Sequence, residues 1–168
     1  MTVAEGTELP PLTIEATPTF VVSTALATRD FQDVHHDRDS AVARGSKDIF
    51  LNILTDTGLV QRFVSAWAGP EALIRSIKIR LGVPCYAYDT LTFTGRVVSE
   101  SPVEQVIEVV GSNARGAHVT GTVRIAPGSG AAQLSESRGH SAPDSGNFPK
   151  VAGQAARHGQ PDAEGGSR

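Results

Sequence analysis

Apolar residues recur at helical spacing between positions 46 and 67 of the chain. The positions that share one helix face, at steps of three and four residues, are Ile49, Ile53, Thr57, Val60, Val64 and Trp67. Ser46 is a suitable N-cap, and Gly69-Pro70 is a stop signal. We therefore predict a helix over about 46–67 that is buried on more than one side. Gly58, unfavourable in a helix interior, is explained if it lies close to a sheet.

Period-two alternation follows this helix and predicts strands. The apolar positions that alternate with polar ones are Ile77, Ile79 and Leu81, then Leu91, Phe93, Gly95 and Val97, and later Val119, Gly121, Val123 and Ile125. Residues 103–110 are also rich in β-branched side chains, and glycine, proline and asparagine separate these segments. Ahead of the helix, residues 20–26 (FVVSTAL) have the composition of a further strand.

Strands in direct succession favour an antiparallel sheet, and one long apolar helix ahead of them favours a sheet wrapped around that helix. The expected fold class is therefore α+β, with the hot-dog fold as the leading candidate. We place this domain at residues 18–126, after a polar N-terminal extension over residues 1–17.

The composition changes after residue 126. Residues 127–168 hold eight of the seventeen glycines and four of the ten prolines. Such a segment has too few large apolar side chains to offset the entropy of ordering it, so we interpret it as a disordered tail. A short partner-binding motif over residues 147–149 (NFP) is the alternative.

Charge and cysteine content exclude several classes of protein. A net charge of -3 gives no electrostatic reason to expect a nucleic-acid partner. The single cysteine, Cys85, excludes an internal disulfide framework. No apolar stretch approaches the about 20 residues that span a bilayer, and no signal-peptide pattern is present. We expect a cytoplasmic protein.

Reactive groups concentrate just ahead of the predicted helix, where three aspartates and two histidines lie within residues 30–37. Composition alone favours a solvated charged loop. A metal site is a second interpretation, although the adjacent His35 and His36 do not easily point at one ion. The third is proton chemistry, in which a carboxylate and a neutral imidazole share a water, deprotonate it and later return the proton.

The Gly45-Ser46 corner adds a possible oxyanion site, since the buried helix is predicted to begin there. Free backbone N–H groups at a helix start, with the helix dipole behind them, stabilise a developing negative charge. A water-activating pair and such a corner are compatible with addition of water to a thioester-activated carbon chain. Spacing alone leaves all three interpretations open.

Three motifs, in the right order, resemble those of the MaoC-like (R)-specific enoyl-CoA hydratases. Residues 30–35 (DFQDVH), with Ala41 six residues after His35, resemble the family signature Asp-x-Asn-Pro-(aliphatic)-His followed by five residues and a small one. Residues 43–46 (ARGS) are similar to the Ala-His-Gly-Met corner, and residues 83–91 (VPCYAYDTL) to the Pro-x-x-x-Gly-Asp-Thr-Leu strand entry. The resemblance spans about residues 20–125.

The resemblance is closer to one branch, the small subunits of actinobacterial hydratases that act on cholesterol side-chain CoA thioesters. It implies a steroid acyl-CoA substrate and a larger MaoC-like partner subunit, in a heterodimer or heterotetramer. It implies no metal or redox cofactor, with CoA entering only as part of the substrate. By matching position, Asp30 and His35 hold and activate the water. The resemblance likewise implies that the Gly45 N–H stabilises the enolate oxygen, with Ser46 and Gln32 on the substrate side.

The sequence departs from the family signature at three positions: Gln32 for Asn, Asp33 for Pro, and Arg44 for the His before the glycine. Gln32 still donates and accepts like Asn. Losing the proline alters loop stiffness and could widen the entrance for a bulky substrate. Losing the histidine removes an imidazole but leaves the oxyanion glycine in place.

Four other reactive residues receive structural interpretations. We expect His36 and Asp37 to be structural or solvent-facing, and Cys85 to be a small buried residue rather than a nucleophile. His118 alternates with the inward valines of its strand, so we expect it to face outward.

The sequence thus predicts an enoyl-CoA hydratase subunit, a hydro-lyase. The alternative is a non-catalytic hot-dog subunit that completes or stabilises a partner's acyl-CoA pocket. The intact Asp30/His35 pair argues against that alternative, because a subunit without chemistry has no need of the pair. A thioesterase is a weaker third option.

Overall fold

The computed structural model describes residues 4–126, which form one antiparallel sheet and the helices packed on it. The strands are β1 (Glu8–Ala16), β2 (Leu73–Leu81), β3 (Asp89–Ser101), β4 (Glu104–Asn113) and β5 (Gly116–Ala126). The helices are α1 (Pro18–Ala27), α2 (Arg38–Ala43) and α3 (Ile53–Ala68), with a short 3₁₀ helix over Asp33–His35. Among the residues described, no helix is long and apolar enough to cross a membrane.

The sheet has the order β1-β3-β4-β5-β2, and every neighbouring pair is antiparallel. The predicted extension over residues 1–17 is wrong as a boundary, because β1 pairs with β3 from Glu8 to Ala16 and belongs to the sheet. Pro10 and Pro11 interrupt the alternation there, and the register shifts between Leu9 and Leu12. The predicted tail, residues 127–168, lies outside the described residues.

The core lies between α3 and one face of the sheet. The buried residues of α3 are Thr55, Asp56, Leu59, Val60, Phe63, Val64 and Ala68. They face fully buried strand residues such as Phe93, Ile107 and Val123. Gly95 allows close approach at one point, since a Cβ there would lie 2.9 Å from the Phe63 ring. The α+β fold, with the sheet packed against the main helix, agrees with the prediction.

The segment predicted as a strand over residues 20–26 is wrong, because it lies within α1. Thr17 caps the helix by accepting a hydrogen bond from the Phe20 N–H, and Pro18 presets the first helical φ angle. The Thr24 hydroxyl donates to the Phe20 carbonyl one turn earlier. Local capping therefore outweighs the preference of the β-branched residues for strands.

The main helix begins seven residues later than predicted. Residues 46–51 are not helical; instead Phe50 forms a β-bridge with Tyr86, and the Leu51 N–H donates to the Cys85 carbonyl. The helix starts at Ile53 with Asn52 as its N-cap. The predicted N-cap, Ser46, is therefore wrong. Gly58 is exposed, and a Cβ there would have no neighbouring atom within 4 Å, so its predicted close approach to the sheet is wrong as well.

Candidate active site

The end of α1 positions Asp30. The Arg29 N–H donates to the Leu26 carbonyl and the Asp30 N–H to the Ala25 carbonyl, at 3.0 and 2.9 Å. These are the two hydrogen bonds of a Schellman motif. Arg29 occupies the left-handed conformation that glycine usually provides, with φ at 58°. This termination turns the chain and sets the Asp30 carboxylate beyond the helix.

The 3₁₀ helix positions His35, whose side chain is 8% exposed. Its Nδ1 lies 2.8 Å from the carbonyl oxygen of Phe50, and the two rings meet edge to face. Because a carbonyl only accepts hydrogen bonds, Nδ1 carries a proton and donates it. In the neutral imidazole, Nε2 then holds the free lone pair.

Asp30 and His35 meet with Oδ2 and Nε2 3.5 Å apart. The Asp30 side chain is 19% exposed, so the pair is partly buried but open on one side. The separation is longer than a good direct hydrogen bond, and one water can contact both atoms. The structure thus brings together the two residues that the sequence singled out, in the geometry expected for holding a shared water.

A third side chain, Asn52, completes this cluster and was missed by the sequence analysis. It is 3% exposed, and its Nδ2 lies 3.0 Å from Asp30 Oδ2 and 2.9 Å from Thr28 Oγ1. Its Oδ1 accepts a hydrogen bond from the Thr55 N–H at 2.8 Å. The available signal was the preference for Asn at helix N-caps, which the apolar periodicity starting further upstream obscured.

The N-terminus of α3 therefore lies beside Asp30 and His35. The N–H groups of Ile53 and Leu54, in the first turn, have no acceptor within a helix of this geometry. The positive end of the helix dipole adds to their attraction for negative charge. Ile53 and Leu54 have half-exposed side chains, so this helix start is accessible from outside the chain.

The predicted oxyanion corner at Gly45 and Ser46 lies elsewhere in the fold. Gly45, with φ at 86°, ends α2 and does not begin the buried helix. Its N–H donates to the Val42 carbonyl, and the Ser46 N–H donates to the Ala41 carbonyl. Both N–H groups are therefore used in a Schellman motif, and the predicted free donors are wrong.

The remaining polar residues of the loop make local contacts or are exposed. Arg44 donates to Asp33 at 2.7 Å, so two of the three departures from the family signature form an ion pair with each other. Gln32 has an exposed side chain, and its carbonyl accepts from the His35 N–H. Asp37 is exposed and caps α2 at Ser40, and His36 is exposed. The expectation for His36 and Asp37 is confirmed.

Within residues 4–126, no group of three or more His, Cys, Asp or Glu side chains is arranged to hold a metal ion. Cys85 is fully buried, and burial raises the pKa of its thiol to about 12. A thiol that stays protonated at neutral pH is a poor nucleophile, in agreement with the structural interpretation.

His118 does not face outward, and that expectation is wrong. It is 2% exposed, with Nδ1 2.6 Å from the Val83 carbonyl and Nε2 3.0 Å from Asp56 Oδ1. The register of β5 against β4 shifts between Gly111 and Ser112, close to His118, and strict alternation does not hold across such a shift.

Comparison with known proteins relates this chain to a group of hydratases. No protein-family model matches the chain. Over 120 residues it is 66% identical to the β subunit of 3-oxo-4,17-pregnadiene-20-carboxyl-CoA hydratase of Mycobacterium tuberculosis, a match that covers 71% of this chain and 93% of that protein.

Solved structures give the same relationship. A chain of the ChsH1–ChsH2 complex from M. tuberculosis is similar, with a TM-score of 0.74 and 64% identity over 76% of this chain and 99% of that one. The (R)-hydratase of A. caviae involved in PHA biosynthesis has a TM-score of 0.68 at 16% identity, over 74% of this chain and 96% of that one. At this identity the second likeness shows the hot-dog fold alone.

Proposed function

The chain belongs to the hydratase family of the mycobacterial β subunit, with the MaoC-like hot-dog fold, and we propose that it supplies the Asp/His site of a steroid side-chain enoyl-CoA hydratase. The relative's name describes a CoA thioester whose carbonyl is conjugated with a side-chain double bond. The observation that carries the proposal is the contact between Asp30 and His35, with the histidine tautomer fixed by Phe50.

The geometry supports a simple proton cycle. A water held between Asp30 Oδ2 and His35 Nε2 gives one proton to Nε2 while its oxygen bonds to Cβ of the conjugated thioester. The electron pair of the double bond shifts to form a double bond between Cα and the carbonyl carbon, and the carbonyl π pair moves onto the thioester oxygen, which gives an enolate. The imidazolium then returns the proton to Cα, so one water is added and both residues are regenerated.

The enolate oxygen needs hydrogen-bond donors, and we assign them to the first turn of α3. The N–H groups of Ile53 and Leu54 lie at the helix start that adjoins Asp30 through Asn52. Gly45 is replaced in this role, because its N–H already donates to Val42. Ser46 and Gln32 keep no catalytic contact in this proposal.

This chemistry calls for no metal and no redox cofactor. The thioester supplies the electron sink, and adding H and OH across the double bond leaves the net oxidation level of the substrate unchanged. We propose the cytoplasm as the location, since the substrate class is a CoA thioester.

We propose a larger hydratase subunit as the partner, in line with the complex named for the similar structure. Of the two edge strands, β1 carries Pro10, Pro11 and an irregular register, which blunt it for pairing. β2 is nine residues long and contains no proline. Its outer edge, which pairs with no other strand among residues 4–126, is the one suited to extend into a partner's sheet.

The rival function is a subunit without chemistry of its own, and one experiment separates the two. The chain is co-purified with its larger partner, and hydration is followed by the loss of the conjugated thioester's absorbance. Asp30→Asn in this chain alone should lower kcat by about two to four orders of magnitude, the usual effect of a lost acid–base group. An active complex whose kcat is unchanged by Asp30→Asn would favour the rival. A wild-type complex that does not hydrate the thioester would overturn the hydratase proposal.

A further inference from the structure

We propose that Asn52 is a positioning residue for this reaction, whose side-chain amide holds the Asp30 carboxylate with Oδ2 turned toward His35 Nε2. The inference rests on the proposed hydratase function and assigns a role within it to a residue outside the Asp/His pair. It is carried by three hydrogen bonds of one buried side chain.

The orientation of the amide is fixed by its partners. The Thr55 N–H only donates, so the atom of Asn52 that faces it at 2.8 Å is the oxygen Oδ1. With Oδ1 on the Thr55 N–H, the atom that faces Asp30 Oδ2 at 3.0 Å is Nδ2, which donates to it. Thr28 Oγ1 donates its own proton to the Thr24 carbonyl and is therefore an acceptor for Nδ2 as well. Turning the amide over would break all three hydrogen bonds.

The Asp30 carboxylate depends on this contact. Its other oxygen, Oδ1, lies 3.4 Å from the Gln32 N–H, at the weak limit of a hydrogen bond. Asn52 thus provides the shorter hydrogen bond to the carboxylate, and provides it to the oxygen that faces His35. Without it, Asp30 is free to rotate, and a misplacement of about 1 Å at a reacting group can lower the rate about a hundredfold.

The same side chain has a second task that can be separated from the first. Oδ1 caps α3, whereas Nδ2 holds Asp30. Serine at position 52 keeps a good capping oxygen but has no amide donor. Aspartate also keeps the cap but places a second carboxylate against Asp30. Variants of Asn52 therefore distinguish a helix cap from a positioning residue.

The test compares wild type, Asn52→Ser and Asn52→Asp, each purified as the complex with the larger subunit. We expect melting temperatures within a few degrees of wild type, because both variants can cap α3. We expect Asn52→Ser to lower kcat by about 10- to 100-fold with a smaller change in KM. Asn52→Asp should lower kcat at least as much, and the acid limb of its pH–rate profile should move to higher pH, since a neighbouring carboxylate opposes ionisation of Asp30.

The matched control is Asp37→Ala, which removes the exposed cap of α2 at Ser40 and should leave kcat and the pH profile unchanged. If Asn52→Ser does not fold, Thr28→Val removes the other acceptor of Nδ2 without touching the α3 cap, and should lower kcat. If Asn52→Ser keeps the wild-type kcat and pH profile, the proposed role of Asn52 is overturned while the hydratase function stands. If Thr28→Val has to be used instead, a wild-type kcat in that variant has the same meaning. An inactive wild-type complex overturns the proposed function and this role with it.

Discussion

His35 and His36 are neighbours in the chain with opposite surroundings. His35 is buried, and both of its ring nitrogens face polar atoms, the Phe50 carbonyl and the Asp30 carboxylate. His36 is exposed and ends the 3₁₀ helix. The difference is one of position on a tight turn, where consecutive side chains point in different directions.

His35→Ala should therefore lower kcat of the complex by about two to four orders of magnitude, while His36→Ala should stay near wild type. The measurement is steady-state hydration with both variants prepared in parallel. Thermal melting of each complex shows whether the fold is retained. A larger loss in His36→Ala would mean that the wrong imidazole had been assigned as the base.

Backbone strain adjoins the site at Arg29. A non-glycine residue in the left-handed conformation costs about 1–2 kcal/mol, and Arg29 has an exposed side chain at φ 58°. Arg29→Gly should raise the free energy of unfolding by about 1 kcal/mol, measured by urea denaturation. Arg62→Gly, at an exposed position inside α3, is the control and should lower it by about the same amount. Destabilisation by Arg29→Gly would show that the Arg29 side chain has a stabilising contact.

Among individual residues, the sequence predicted the Asp30/His35 pair but not the residues that hold it in place. Asp30 and His35 were singled out because residues 30–35 resemble the hydratase signature, whereas their spacing alone left other interpretations open. Asn52 and Phe50 were missed because their roles depend on where α3 begins, and on a β-bridge to Tyr86 that lies 36 positions further along the chain. The hydrogen bond from His35 goes to a backbone carbonyl, which every residue type has, so it cannot be predicted from the sequence.

Between elements, a second Asp/His pair joins α3 to β5. Asp56 is fully buried and accepts a hydrogen bond from His118 Nε2. His118 Nδ1 donates to the Val83 carbonyl, just ahead of the segment that bridges to Phe50. Burial alone would lower the pKa of His118, but the hydrogen bond and charge of Asp56 outweigh it and raise the pKa above its ordinary value. The contact with Asp56 therefore favours the protonated form of His118.

This pair predicts a pH-dependent contribution to stability. Because the folded pKa of His118 is raised, the contribution is fully present below the unfolded value of 6.5 and is lost as the pH rises through the folded value. His118→Gln should lower the free energy of unfolding by about 3 kcal/mol or more near pH 6, since it removes the imidazole that partners the fully buried Asp56 side chain.

The difference in the free energy of unfolding between wild type and His118→Gln should shrink as the pH rises. Urea denaturation of both proteins from about pH 6 to about pH 9 measures it. His36→Gln, at an exposed imidazole, is the matched control and should show a small, flat difference. If the stability of wild type relative to His118→Gln instead grew with pH, the pKa of His118 would not be raised in the folded protein.

Element boundaries show what a sequence pattern can and cannot predict. Of the four strands after α3, β2, β3 and β5 were predicted from regular alternation and β4 from its β-branched composition. Glycine, proline or asparagine in the turns marked where they end. α1 was predicted as a strand because its β-branched residues outweighed a cap and a proline just ahead of it. The start of α3 was predicted too early because Ile49 keeps helical spacing with Ile53 although it lies in an extended segment buried against the strand entry.

For the whole described domain, the sheet order could not be read from local patterns. β1 pairs with β3, and β2 pairs with β5, so each edge strand lies far in sequence from its partner. Contacts of this kind form only when the sheet packs around α3. Alternation in the sequence shows which face of a strand is apolar, but not which strands pair. The hot-dog architecture was nonetheless reached, because one long helix ahead of successive strands has few ways to bury its apolar face.

The outer edge of β2 is where we expect the domain to contact its proposed partner. If β2 is the pairing edge, the exposed apolar residues on it should be covered in the complex, and Leu73 is 58% exposed in this chain. Leu73→Asp should weaken co-purification with the larger subunit and lower hydration in parallel. Val103, 75% exposed at the turn between β3 and β4, is the control, and Val103→Asp should leave both unchanged.

The chain expressed alone should be poorly soluble or nearly inactive, because an uncovered edge strand and an open helix start are both left facing water. Co-expression with the larger subunit should restore solubility and hydration together. Size-exclusion chromatography and activity assays of the two preparations measure this. A stable homodimer of this chain with full activity on the steroid thioester would contradict the assembly, because the site would then be complete without a second kind of subunit.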